Sequence, residues 1–476
     1  MRYIEVTLSP THRVSFLVIC FGVLFGFGIA SIAGVLDTLK GVFQLSLNGE
    51  QAMVAVLIVS CFFGAILAGP VSLYWGRRAA MMLAAVLAFA GYAVILAAPS
   101  FDWFVGARIL VGMSVGFSSM VVPMYAAETT SARRRGSVVA MFQLAITGGI
   151  LLAYSVSLAF VSYVPWTLIL GSGLVPTLLA MVAIVLLPES PRWLAARGCI
   201  SKAEHAARRL DLLEEWREIV QDTVAVSSRT SSLKPLNKGF RRGSTIAVLV
   251  FSSVLFVLQN LSGIDGILYY APRIFHTLGF AAGTAALAAT FGLGLINFVA
   301  TLVALSVVDK AGRRPLLIGG SAVMIIGLAA VVAAATFDWP WVGLLGLGLY
   351  ILAFAVSLGP LPYVLMSELF PSAIREQGIA AASAVSWLFN ALVAFTFLSI
   401  VEGIGLAATI ALFMLVCVLS LVVCIVFLPE TRLVRLEVIE ANVLAGRALR
   451  ELGDDFPAVE PDAAKMDAVL SSKPNS

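Results

Sequence analysis

The sequence predicts an all-α membrane protein of twelve transmembrane helices arranged as two six-helix halves. Three observations carry this prediction. The chain of 476 residues is 60% hydrophobic and only 12% charged, with a mean hydropathy of +0.99, whereas soluble domains carry about 25% charged residues. Twelve apolar runs are each long enough to cross a hydrocarbon core as a helix, which takes about 20 residues. A set of short motifs from the first half of the chain recurs, in the same order and at one nearly constant offset, in the second. Membrane β-strands would leave alternating ten-residue segments, and none are seen.

The first run, 14–36, follows Arg13 and has no small-residue cleavage site, so it reads as a retained span and not a signal peptide. Runs at 52–73, 79–98, 104–125, 136–159 and 165–187 complete a first bundle over residues 1–190. A hydrophilic insertion, 191–243, separates the halves. Its first part, SKAEHAARRLDLLEEWREIVQDTVAV, predicts one or two amphipathic helices, and the Ser/Arg-rich SSRTSSLKP a linker. Runs at 245–270, 284–308, 315–336, 341–366, 376–398 and 404–428 form the second bundle, 244–430. The tail, 431–476, starts as a helical pattern and turns polar. Cys20, Cys61, Cys417 and Cys424 fall in spans and Cys199 in a loop, which suits packing rather than pairing.

Lys and Arg occupy the N-terminus, alternate loops and the tail: Arg2, Arg13, Arg77–Arg78, Arg133–Arg135, Arg192–Arg242, Lys310–Arg314, Arg375 and Arg432 onward. The intervening loops hold almost none beyond Lys40. The positive-inside rule then places both termini in the cytoplasm, as an even number of spans requires. Charges divided among short loops in this way exclude a nucleic-acid patch.

The internal repeat is explicit. GRR occurs at 76–78 and at 312–314; Glu128 precedes Arg135 by the same interval as Glu368 precedes Arg375; PES at 188–190 answers PET at 429–431. Such duplication is the organisation of parallel-repeat transporters with a site between the halves. Arg77, Arg108, Glu128, Arg135, Glu189, Arg192, Asp309, Arg313, Arg314, Glu368, Arg375 and Glu430 are assigned to a cytoplasmic ion-pair network that ties the halves together when the inner side is closed. Ordinary topology and interfacial solvation is the simpler alternative.

Polar residues within spans mark the candidate site: Gln143 in the fifth, Gln259, Asn260 and Asp265 in the seventh, Asn297 in the eighth, and Trp387 and Asn390 in the eleventh. Amides offer donors and acceptors, and aromatic faces stack on apolar surface, so the set suits a neutral polyhydroxylated ligand. The alternative is interhelical hydrogen bonding with no ligand. The densest segment is QNLSGIDGILYY, 259–270. On an ideal helix Asp265 points well away from Gln259, so either the span unwinds at Gly263–Gly266 or Asp265 faces a neighbouring helix. The broken helix is the expectation here, with Tyr269 and Tyr270 as a mobile outer lid. No Ser/His/Asp triad, phosphate loop or metal cluster can be assembled within the spans, so neither enzyme chemistry nor a cofactor is expected.

These strings resemble the sugar porters of the major facilitator superfamily over nearly the whole chain. RILVGMSVGFSSMVVPMYAAE (108–128), PESPRWL (188–194), QNLSGID (259–265), Asn297 with VDKAGRR (308–314), GPLPYVLMSELFP (359–371) and LPET (428–431) match that family's motifs in order. The resemblance implies the major facilitator fold and alternating-access transport of a monosaccharide, such as the hexose glucose, across the plasma membrane. It places sugar contacts on Gln143, Gln259, Asn260, Asp265, Asn297, Tyr363, Trp387 and Asn390, and the outer gate on Tyr269 and Tyr270.

Departures from the pattern bear on mechanism. Proton-coupled members resemble FGYD in the first span; here FGFG puts Gly28 at the carboxylate position, and Ile150 stands where symporters have a second Gln. Both favour a facilitative uniporter, which is the expectation here, with proton-coupled symport through Asp265 as the alternative. Asp265, however, replaces the motif's Asn. Poor hydration disfavours the charged form of a carboxylate, so Asp265 is either a relocated proton carrier, which adds a proton as partner, or an acid that merely hydrogen-bonds the sugar. Tyr363 replaces a Trp and Ala355 a Glu. GPVSLYWGRR carries Leu73 and Tyr74 in place of the loop motif's charges, so the first-half latch is expected to be the weaker one. A non-transporting sugar sensor is the remaining alternative, disfavoured by the short tail.

Overall fold

The computed structural model describes residues 9–97, 100–214, 216, 243–371, 375–432, 434 and 436–454. Among them twelve apolar segments are long enough to cross a membrane. In the first half these are Pro10–Phe43, Leu47–Trp75, Arg77–Ala97, Phe101–Thr129, Arg134–Phe160 and Trp166–Val185 (spans 1–6). In the second they are Thr245–Tyr269, Thr284–Val308, Arg313–Phe337, Pro340–Leu369, Ala381–Ile404 and Leu406–Phe427 (spans 7–12). Helices are required at this depth because every backbone N–H and C=O needs a partner within the segment. Twelve crossings return the chain to the face on which it began, so the start of span 1 and the end of span 12 lie at one face, called here the terminal face; the other is the far face.

Close helix contacts rest on small residues. Gly64, Gly112 and Gly116 let the backbones of spans 2 and 4 meet with no side chain between them, and Gly26 and Gly149 do the same for spans 1 and 5. Aromatic side chains at span ends, Trp75 at the terminal face and Trp103, Tyr163 and Trp341 at the far face, are exposed, as befits a headgroup-level belt.

Among the described residues four spans are interrupted; span 6 breaks between Gly171 and Leu174. Span 1 is helical over Pro10–Ala30 and resumes over Leu36–Phe43, extending the expected run. Span 10 breaks between Val356 and Leu361. Span 7 ends its first helix at Leu261 and restarts as Ile264–Tyr269, then Ala271–Thr277.

The insertion begins with short helices Pro191–Ala196 and Ile200–Arg209, the latter burying Ala203, Ala206 and Ala207 on one face. The expected linker lies outside the described residues. In the tail, helix Leu436–Leu444 is tied back by Asn442, whose Nδ2 donates to the carbonyls of Leu452 (3.1 Å) and Asp454 (3.0 Å).

Candidate sugar site

The site is built around the break in span 7. Gly263 adopts φ +89°, a left-handed conformation that costs an L-residue about 1–2 kcal/mol and glycine nothing. The first helix closes with Gly263 N–H donating to Asn260 O (3.1 Å), and the second opens with Ile267 N–H donating to Gly263 O (2.9 Å). The break is therefore tighter than the predicted Gly263–Gly266 window, and Gly266 stays helical. Gly266 is required for a different reason: a Cβ there would lie 2.7 Å from the Phe397 ring. Phe397 stacks between Tyr270 (5.2 Å between centroids) and Phe413 (6.0 Å), so an aromatic column from spans 11 and 12 packs directly on glycine backbone.

Span 7 carries two polar clusters, one on each side of the break. On the first helix, Gln259 Nε2 donates to Gly359 O in the break of span 10 (3.0 Å), while its buried Oε1 has no hydrogen-bond partner among the described residues. Asn260 Nδ2 donates to Phe256 O (2.7 Å) and to Ser386 Oγ of span 11 (3.0 Å). Tyr363 packs edge-on against Phe256 at 4.8 Å and is otherwise half exposed. On the second helix, Asp265 Oδ2 accepts from Asn390 Nδ2 of span 11 (2.8 Å). Tyr269 Oη lies 3.1 Å from Asn390 Oδ1 and 3.4 Å from Asp265 Oδ1. Span 7 is broken, and Asp265 also faces a neighbouring helix: the two alternatives hold together.

Trp387 is half-buried and packs on Phe25 of span 1 at 6.0 Å, linking the halves. Gln143 is exposed on span 5 and Asn297 buried on span 8; among the described residues no side-chain hydrogen bond joins either to the clusters. Tyr269 and Tyr270, expected as a mobile lid, are buried and tied down, Tyr270 Oη donating to Ala394 O at 3.0 Å.

The charged span ends form two matching clusters. Arg77 pairs with Glu128 (2.8 Å) and Arg313 with Glu368 (2.9 Å). Glu189 accepts the backbone N–H groups of Arg77 and Arg78 (3.1 Å each), and Glu430 those of Arg313 and Arg314 (3.1 Å each). Gly76 and Gly312, at φ +98° and +93°, leave room for those carboxylates. Burial pushes the Glu189 carboxyl above its ordinary value, opposed by the N–H donors of Ser190, Arg78 and Arg77 and by the Arg77 charge. These pairs lie within a half, not between halves as expected. The first-half cluster is as complete as the second. Where the motif's charges are missing, the carbonyls of Leu73 and Tyr74 accept from Arg197 (2.9 and 2.8 Å), and Trp193 Nε1 also donates to Leu73 O (2.9 Å). Arg135 and Arg192 are near the terminal face and engaged; the side chains of Asp309 and Arg375 are outside the described residues.

Arg108 does not belong to this network. It lies in the outer part of span 4, 3% exposed, and Nη1 donates to the carbonyl of Gly28 (3.1 Å). Its place in a sequence motif that ends at Glu128 misled the assignment, because one 29-residue helix carries both faces' residues. Four inter-half residues at the far face were also missed: Glu50 with Arg273 and Gln51 with Ser399. Their only sequence signal is an acid and an amide at the start of an apolar run.

The family model described as "Sugar (and other) transporter" matches residues 14–443. The chain belongs to the sugar transporter family of the major facilitator superfamily. This family member is a transporter, not an enzyme. It is 34% identical over 454 residues to the galactose-proton symporter of Escherichia coli K12, covering 94% of this chain and 97% of the relative. It is 32% identical over 465 residues to the arabinose-proton symporter of the same strain, with the same coverage. An inward-open structure of the Escherichia coli xylose transporter XylE superposes with a TM-score of 0.77 at 31% identity, covering 90% of this chain and 99% of that one. The sugar transporter thus has the fold that the repeat predicted.

Proposed function

We propose that the protein moves a monosaccharide across the cell membrane in cotransport with a proton, and that Asp265 carries the proton. The observation that supports this is the arrangement of Asp265, Asn390 and Tyr269. With one proton on Asp265, three donors meet three acceptors in a ring: Asn390 Nδ2 to Asp265 Oδ2, Asp265 Oδ1 to Tyr269 Oη, and Tyr269 Oη to Asn390 Oδ1. Without it, Tyr269 has one hydrogen for two acceptors, and one oxygen is left without a donor. Loss of the proton therefore loosens the link between spans 7 and 11 beside the outer tyrosines, and a proton is coupled to gating. The relatives' names, which are those of proton symporters, agree with this reading.

The sugar sits between the halves. Gln259 Oε1, buried and without a donor among the described residues, accepts from a sugar hydroxyl. Gln143, Tyr363 and Trp387 supply a further amide and aromatic surface, and Asn297 a buried one. Under the positive-inside rule the terminal face is cytoplasmic, so this conformation, with the halves joined at the far face by Glu50–Arg273 and Gln51–Ser399, offers the site to the cytoplasm. A facilitative uniporter is the second reading. Gly28 favours it, since it leaves Arg108 with a backbone carbonyl where a coupling carboxylate would stand; Asp265 would then serve only as a sugar contact.

Flux in proteoliposomes separates the two. An inward proton gradient drives sugar accumulation above equilibrium in the wild type. Asp265→Asn abolishes accumulation while retaining counterflow of labelled sugar. Equal behaviour of wild type and Asp265→Asn refutes the carrier role, and absent counterflow in the wild type refutes transport. Competition by a panel of hexose and pentose epimers identifies the sugar, because one unpaired buried hydroxyl contact rejects an isomer.

A further inference from the structure

At the far face a charge cluster joins the two halves without touching the sugar site. Glu50, in the first turn of span 2, is 0% exposed and lies between two cations. Lys40 Nζ, from the same half, is 3.0 Å from Oε2, and Arg273 Nη1, from the other half, is 2.8 Å from Oε1. Arg273 stands three residues after Tyr270, on the helix Ala271–Thr277 that continues the broken span 7. Its Nη2 also reaches Glu402, at the end of span 11 in its own half, at 3.4 Å. Beside them Ser399 Oγ of span 11 donates to Gln51 Oε1 (2.9 Å).

We propose that Glu50 and Arg273 are the ionic latch of the far gate, and that Lys40 and Glu402 are standby partners that hold each charge when the latch opens. A buried carboxylate stripped of its partner is strongly destabilising, so a latch made of one isolated pair would open at a prohibitive cost. Here separation of the halves leaves Glu50 with Lys40 and Arg273 with Glu402. Every charge keeps a counterion in both states, and the net change on opening is one pair and one hydrogen bond. Because Arg273 is continuous with the segment that carries Asp265 and Tyr269, movement at the break is transmitted directly to the latch. This holds whether or not a proton is transported.

The test uses the full chain in proteoliposomes with the exposed cysteine replaced (Cys199→Ser). Spin labels are placed on the exposed far-face positions Val42→Cys and Ile404→Cys, one in each half, and distances are read by pulsed electron paramagnetic resonance without sugar. Glu50→Gln is expected to raise the long-distance, far-open population about fivefold, as is Arg273→Gln. The double variant opens no further than either single one, because both remove the same interaction. Lys40→Gln leaves the gate closed, since Glu50 then depends on Arg273 alone. Unchanged distances in both Glu50→Gln and Arg273→Gln overturn the latch. Additive opening in the double variant, or opening by Lys40→Gln equal to that of Glu50→Gln, overturns the partner exchange.

Discussion

Replacing Gly263 by alanine asks whether the break in span 7 is held by this one backbone position. At φ +89° an alanine is strained by about 1–2 kcal/mol. Its Cβ would also run into the Phe413 ring. That ring cannot swing away freely, because it stacks on Phe397 at 6.0 Å and Phe397 in turn on Tyr270 at 5.2 Å. Overpacking of this kind costs about 1–3 kcal/mol. The two terms together predict a loss of about 2–5 kcal/mol, read as thermal unfolding of the purified protein followed by tryptophan fluorescence. If the chain escapes by straightening the helix instead, Asp265 turns away from Asn390 and counterflow of labelled sugar falls. A cycle with Phe413→Ala separates the contributions. In that background the effect of Gly263→Ala shrinks to the backbone part, about 1–2 kcal/mol. An unchanged melting temperature with full counterflow would refute the argument, and an equal loss in both backgrounds would refute its steric half.

Tyr269→Phe leaves Asn390 Oδ1 without its donor, a loss of about 1–3 kcal/mol; proton-driven accumulation should fall more than counterflow, and equal falls would speak against the ring. Glu189→Gln and Glu430→Gln each remove a carboxylate from two successive backbone N–H donors, worth about 1.5–3 kcal/mol for a charged acceptor. Similar drops in melting temperature are expected for the two, and a much smaller drop for Glu189→Gln would restore the idea of a weaker first half. Gly28→Asp places a carboxylate next to Arg108, its Cβ 3.3 Å from Tyr92 Oη and from Val111, so those neighbours must yield by a few tenths of an ångström. In an Asp265→Asn protein it should recover proton-driven accumulation; a folded double variant that only exchanges sugar would show that Arg108 does not support coupling from that position.

The polar clusters of the candidate site are legible because polar residues are rare in apolar spans and stand out one by one. Gln259, Asn260, Asp265 and Asn390 were found in this way, and each takes part in a hydrogen-bonded cluster. The break in span 7 was legible from its glycines, though its position was not. Gly263 and Gly266 look alike in sequence, and only their neighbours, a left-handed backbone in one case and the Phe397 ring in the other, distinguish them. Arg108 was misplaced because a sequence motif runs along a helix with no marker of depth. Glu50 and Arg273 were overlooked because they are more than two hundred positions apart and no local pattern links them.

Composition, run length and the repeated motifs by themselves determined a twelve-span protein of two like halves, and their order determined its family. These are properties of local hydrophobicity and of duplication, both written along the chain. Tertiary structure alone decided which ends of the halves are joined. The terminal-face pairs Arg77–Glu128 and Arg313–Glu368 each stay within a half, while Glu50–Arg273 at the far face crosses between them. A charged residue near a span end can pair with any neighbour its helix is packed against, and packing is set by contacts between spans, which the linear order does not contain.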